Sequence, residues 1–106
     1  MQSTNLEKEI KYASARIIKN YKPEKVILFG SLAYGKATLS SDIDMVIIKK
    51  THKNHWERLK EADRFISHDF PIDILVYTPK EISERLKIGD TFVENFINRG
   101  RVIYEK

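Results

Sequence analysis

Two aspartates two residues apart, Asp42 and Asp44, lead into the apolar run Met45-Val46-Ile47-Ile48. On an extended strand alternate side chains share a face, so these carboxylates lie about 6–7 Å apart on one side of it. At an effective dielectric near 20 such a pair repels by roughly 2–3 kcal/mol, a cost that a cation between them removes. Asp73 sits between Ile72 and Ile74 in a second short apolar run. If the two strands are neighbours, three carboxylates converge. Oxygen-only ligands suit a hard cation such as Mg2+, which keeps waters and takes its remaining ligands from substrate phosphates. Two such ions, about 3.5–4 Å apart, can clamp the attacking and leaving oxygens of an in-line displacement. The other half of that chemistry is a phosphate cradle, and Phe29-Gly30-Ser31 offers one. Gly30 lets backbone approach a phosphate closely, and the amides after it, with the Ser31 hydroxyl, can donate to β- or γ-phosphate oxygens. A cradle before one strand and carboxylates on the next are the minimum for nucleotidyl transfer.

The elements that must hold these groups are legible from periodicity and punctuation. Leu6, Ile10, Ala13 and Ile17 recur at helical intervals, and Thr4-Asn5-Leu6-Glu7 has capping-box spacing, which predicts a helix from Thr4 to about Asn20. After Pro23, Lys25 to Phe29 reads as a buried strand. Gly30 and Gly35 bracket a tight turn or short helical piece, and Ser41 to Ile48 reads as a central strand. Trp56, Leu59, Ala62, Phe65 and Ile66 follow helical spacing behind an Asn54 cap, and Ile72 to Tyr77 is a third strand. Thr78-Pro79-Lys80-Glu81 starts a helix that stops at Gly89, with threonine as the cap and proline at the first position. Asp90 caps another, burying Phe92, Val93, Phe96 and Ile97 and ending at Gly100, before an edge strand from Arg101 to Tyr104. The order αβ(α)βαβααβ defines an α/β (α+β) domain with a small sheet. No linker divides residues 1–106, so one domain is expected.

Composition narrows the classes. The chain is 42% hydrophobic and 32% charged, too apolar for a disordered segment and too charged for a membrane one. It has no cysteine, which excludes a disulfide framework, a thiol nucleophile and any Cys-ligated metal site. No apolar run is long enough to span a bilayer and residues 1–7 carry no apolar leader, so a cytoplasmic protein is expected. Nineteen Lys and Arg against fifteen Asp and Glu leave a charge of +4, which suits a phosphate-bearing substrate and an ordinary domain equally. The basic cluster Lys49-Lys50-Thr51-His52-Lys53 reads as a solvated loop before a nucleic-acid patch, and His52, His55 and His68 read as surface residues. Trp56, Phe92 and Phe96 are expected in the core. Tyr34 is the aromatic expected near solvent beside the glycine turn, where it could stack on a base or pack over the turn.

The stretch from Leu28 to Gly35, then Ser41-Asp42-Ile43-Asp44-Met45-Val46-Ile47, resembles the signature of the DNA polymerase β-type nucleotidyltransferase superfamily. Ile72-Asp73-Ile74-Leu75-Val76 is similar to its third-carboxylate strand. In so short a chain the resemblance is to the minimal nucleotidyltransferase (MNT) group, whose members often act as antitoxins beside a helical HEPN-domain ribonuclease toxin. The resemblance implies a nucleotidyltransferase fold with a small mixed sheet flanked by helices. It implies Asp42, Asp44 and Asp73 as catalytic carboxylates holding two Mg2+ ions, with Asp73 also helping to deprotonate the incoming hydroxyl. Gly30 and Ser31 would hold the triphosphate of ATP. The expected activity is transfer of AMP from ATP to a hydroxyl, with a tyrosine of a cognate HEPN toxin as acceptor. Leu32 and Tyr34 stand where relatives commonly carry arginines, and Lys36 could take over phosphate contact. This departure supports an alternative, an antitoxin that neutralises its toxin by binding alone. A partner protein is expected to complete the site, and self-association over the sheet edge is a further expectation.

Overall fold

The computed structural model describes residues 2–30, 43–66 and 72–106. Helix α1 (Gln2–Asn20) precedes strands β1 (Lys25–Gly30) and β2 (Ile43–Ile48), and α2 (His55–Asp63) leads to β3 (Ile72–Tyr77). Helices α3 (Pro79–Lys87) and α4 (Thr91–Arg99) and strand β4 (Arg101–Glu105) complete the chain. The sheet order is β3-β2-β1-β4. β1 runs antiparallel to both β2 and β4, whereas β2 and β3 are parallel, as a crossover through α2 requires.

Helices cover both faces, so each inner strand is apolar on both sides. One face carries Val26, Leu28, Met45, Ile47 and Val76 and packs on Ile10, Ala13 and Ile17 of α1 and Ala62 of α2. The other carries Ile27, Val46 and Ile48 and packs on Ile82 of α3 and Val93 and Phe96 of α4. The mixed α+β architecture expected from the sequence is therefore present.

Three expectations fail in instructive ways. The first helix already runs at Gln2, so Thr4 lies inside it and is not its cap. Trp56 is 75% exposed rather than core. The inward positions of α2 are Arg58 and Ala62, and apolar spacing cannot find a helix face centred on an arginine. Arg58 is tolerated there because its guanidinium is satisfied: Nε donates to the Lys53 carbonyl at 2.7 Å and Nη1 to Glu81 Oε1 at 2.7 Å. Phe92, also expected inside, is 36% exposed. The basic cluster after β2 is partly spent on structure: Lys49 Nζ donates to the Tyr21 carbonyl and lies 4.4 Å from that ring's centroid, and Lys53 pairs with Glu61.

Glu81 joins α3 to α2. Its Oε1 accepts from the Thr78 amide at 2.8 Å while Thr78 Oγ1 accepts from the Glu81 amide at 3.1 Å, completing the expected capping box. Partial burial pushes the Glu81 carboxyl up, but the Thr78 amide and the Arg58 guanidinium outweigh it and hold the group below its ordinary value. A depressed carboxyl contributes stability that is present above its unfolded pKa and lost as pH falls through the folded one. Glu81→Gln keeps the capping-box acceptor but removes the charge that faces Arg58, so it is expected to melt below the wild type at pH 7 by about 0.2–1 kcal/mol, the scale of a partly exposed ion pair. The gap should narrow as pH drops below the usual carboxylate range. Thermal melts across pH 2–7 check this, and a constant gap would refute it.

Candidate active site

The parallel pairing of β2 with β3 puts Asp44 directly opposite Asp73. Neighbouring strands are about 4.7–4.9 Å apart, so both side chains leave the sheet side by side. Their face follows from alternation. Asp44 shares the parity of Val46 and Ile48, and Asp73 that of Leu75 and Tyr77, all of which pack toward α3 and α4. Asp73 is exposed and Asp44 half-buried, so this end of the sheet face is open to solvent. On its other side Asp44 pairs with Phe29 of β1.

Gly30 ends β1 one step beyond Phe29, at φ 115°, a conformation that side chains with a Cβ rarely adopt. The backbone thus leaves the sheet beside the acidic pair through a glycine-only bend. Ser31, Leu32, Tyr34, Lys36 and Asp42 lie outside the described residues, as does His68. Of the five expected site residues, the structure therefore brings together Asp44, Asp73 and Gly30.

Two carboxylates side by side on an open sheet end form an all-oxygen donor set of the kind a hard divalent cation takes. Among the described residues no group of three acidic or histidine side chains forms a cation site. A cavity of about 540 Å³ between α1 and β4, lined by Ile10, Leu28 and Ile103 among others, lies on the opposite sheet face from the acidic pair. Another, of about 430 Å³, includes Arg58, Tyr77 and Arg85 at the far end of β3 from Asp73.

Phe92, in the first turn of α4, lies with its ring centroid 5.8 Å from that of Phe29, the strand partner of Asp44. Its helical spacing with Phe96 signals burial, yet in the first turn of α4 it is 36% exposed.

A mixed sheet with an acidic pair beyond a glycine bend, backed by helices on both faces, defines a nucleotidyltransferase-like domain. Residues 13–106 match the family described as Polymerase beta, Nucleotidyltransferase, and the chain belongs to that family. Its fold is similar to that of a Sulfolobus solfataricus protein described as a "putative nucleotidyltransferase". The TM-score is 0.70 at 22% identity, over 98% of this chain and 84% of that one. No curated protein matches. Among the described residues no helix is long and apolar enough to cross a membrane.

Proposed function

We propose that this chain moves AMP from ATP to a protein hydroxyl, a tyrosine of a HEPN-domain ribonuclease toxin, and so acts as an antitoxin. The observation that carries the transfer chemistry is the in-register Asp44–Asp73 pair on the open end of the sheet. Asp44 and Asp73, with Asp42, would hold Mg2+. Bound there, the metal supplies positive charge against the oxygens of the reacting phosphate. In the reaction the acceptor oxygen bonds to the α-phosphorus, the bond from that phosphorus to the bridging oxygen of pyrophosphate breaks, and pyrophosphate leaves. Asp73, the more exposed carboxylate, takes the proton from the acceptor hydroxyl. Gly30 leads into Ser31, whose hydroxyl, with the amides that follow, would receive the triphosphate. Such chemistry asks positioning and charge stabilisation of the protein rather than covalent help.

The test is to incubate the protein with Mg2+, ATP labelled at the α-phosphate and a HEPN-domain ribonuclease toxin. Label and an AMP-sized mass increase on one toxin tyrosine are expected, with loss of ribonuclease activity. Leu32 and Tyr34 in place of the turn arginines favour the second reading, neutralisation by binding alone. Toxin silenced equally without ATP, and without label, would establish that reading instead.

A further inference from the structure

Phe92 departs from the core reading of α4. Its neighbours Val93 and Phe96 are fully buried, yet Phe92 itself is 36% exposed. The turn that carries it is capped. Asp90 Oδ1 accepts from the backbone amides of Phe92 and Val93 at 3.0 and 3.1 Å, fixing the first turn of α4. The ring is gripped from two sides, meeting Phe29 at 5.8 Å with an 84° interplanar angle and Phe96 at 5.4 Å with 72°. Both contacts are edge-to-face, the arrangement in which the ring quadrupoles attract.

The position of this ring gives the exposure a use. Phe29 is the strand partner of Asp44, and Asp44 of Asp73, so one row across the sheet carries the aromatic and then the two carboxylates. Antiparallel partners share a face, which places Phe29 and Phe92 on the same side of the sheet as the acidic pair. A nucleotide whose phosphates lie at the carboxylates can lay its sugar and base across the sheet surface, and among the described residues Phe92 is an exposed aromatic on the Asp44 side of it, beside the half-buried Phe29. Aromatic faces attract nucleobases of any sequence, since every base has a π-face.

We propose that Phe92 is the stacking platform for the base of the nucleoside triphosphate, with Phe29 and Phe96 holding its ring in place. This assignment rests on the transfer function proposed above and adds to it the residue that receives the base. Phe92 is then a binding residue, acting on the nucleoside and not on the phosphates.

The experiment compares the binding of Mg-ATP and of Mg-tripolyphosphate, which lacks sugar and base, by calorimetry on wild type, Phe92→Ala, Phe92→Leu and Phe92→Tyr. Loss of one stacked base weakens binding about 5- to 150-fold. Phe92→Ala and Phe92→Leu are expected to show that loss for ATP and none for tripolyphosphate, with Phe92→Tyr close to wild type. Phe92→Trp in a Trp56→Phe background, which leaves a single indole, should be quenched by ATP and not by tripolyphosphate. Equal weakening of both ligands would show a structural role and overturn the assignment. So would ATP binding unchanged in Phe92→Ala while the wild type binds it well, and either result leaves the transfer function standing. A wild type that binds neither ligand would overturn both.

Discussion

Asp44→Asn is expected to abolish transfer of label from ATP while leaving the fold intact. The substitution keeps the side chain's size, exchanges one acceptor oxygen for an NH2 donor and removes one charge from the pair with Asp73. If that pair holds the divalent ions, the charge stabilisation it organises is worth several kcal/mol, and each 1.36 kcal/mol is a factor of ten in rate. A loss of about a thousandfold or more is therefore the expected scale, with Asp73→Asn showing a comparable loss. Stability should move the other way. Like charges directly opposite on adjacent strands are destabilising by roughly 0.2–1 kcal/mol. At about 4–8 °C per kcal/mol for a domain of this size, the variant should melt level with the wild type or a few degrees above it. A metal readout separates the causes: Mg2+ with a non-hydrolysable ATP analogue should raise the melting temperature of the wild type but not that of Asp44→Asn. Retained activity in Asp44→Asn would remove the metal role from this pair. A melt lowered by many degrees would mean the carboxylate serves the fold instead.

That pair was legible because two independent patterns agree on it. A strand alternates with period two whatever its neighbours, so the apolar flanks of Asp44 and Asp73 already fix which way each carboxylate points relative to its own strand. What the sequence cannot state is which strands are adjacent. The parallel β2–β3 pairing, reached through α2, turns two separate aspartates into one site. The capping signals at Asn54, Thr78 and Asp90 were equally readable, because each uses a local side-chain-to-amide bond that needs no tertiary partner. Arg58 shows where local reading stops. Its burial depends on Glu81, twenty-three residues away, and on the Lys53 carbonyl. No hydrophobic period marks such a residue as inward-facing, and the same apolar spacing points Trp56 inward although it is 75% exposed. Phe92 is the complementary case, a residue with the right spacing for burial at the end of a helix that the sheet does not fully cover.

Phe96 and Trp56 give that distinction a measurable form, since composition alone ranks both as core anchors. Phe96 is fully buried, packed on Tyr77 at 5.7 Å and Phe92 at 5.4 Å, in the cluster that joins α3 and α4 to the sheet. Phe96→Ala leaves a cavity that surrounding helices fill only in part, at a cost of about 3–5 kcal/mol. For a domain of about 100 residues that lowers the melting temperature by roughly 12–40 °C. Trp56→Ala removes a larger side chain that is three-quarters exposed, and surface changes of that kind stay within about 0.5 kcal/mol. The two variants should therefore differ severalfold in destabilisation, opposite to the order of the side-chain volumes removed. Denaturant melts of both variants at one pH measure this directly. Comparable losses would show that α2 presents Trp56 inward and that Arg58 does not hold the face assigned to it. Because Phe96 also grips Phe92, a partly folded Phe96→Ala should bind ATP more weakly as well. Phe92→Ala, by contrast, should weaken ATP binding at a smaller cost to the melt than Phe96→Ala, because Phe92 is partly exposed and Phe96 is fully buried.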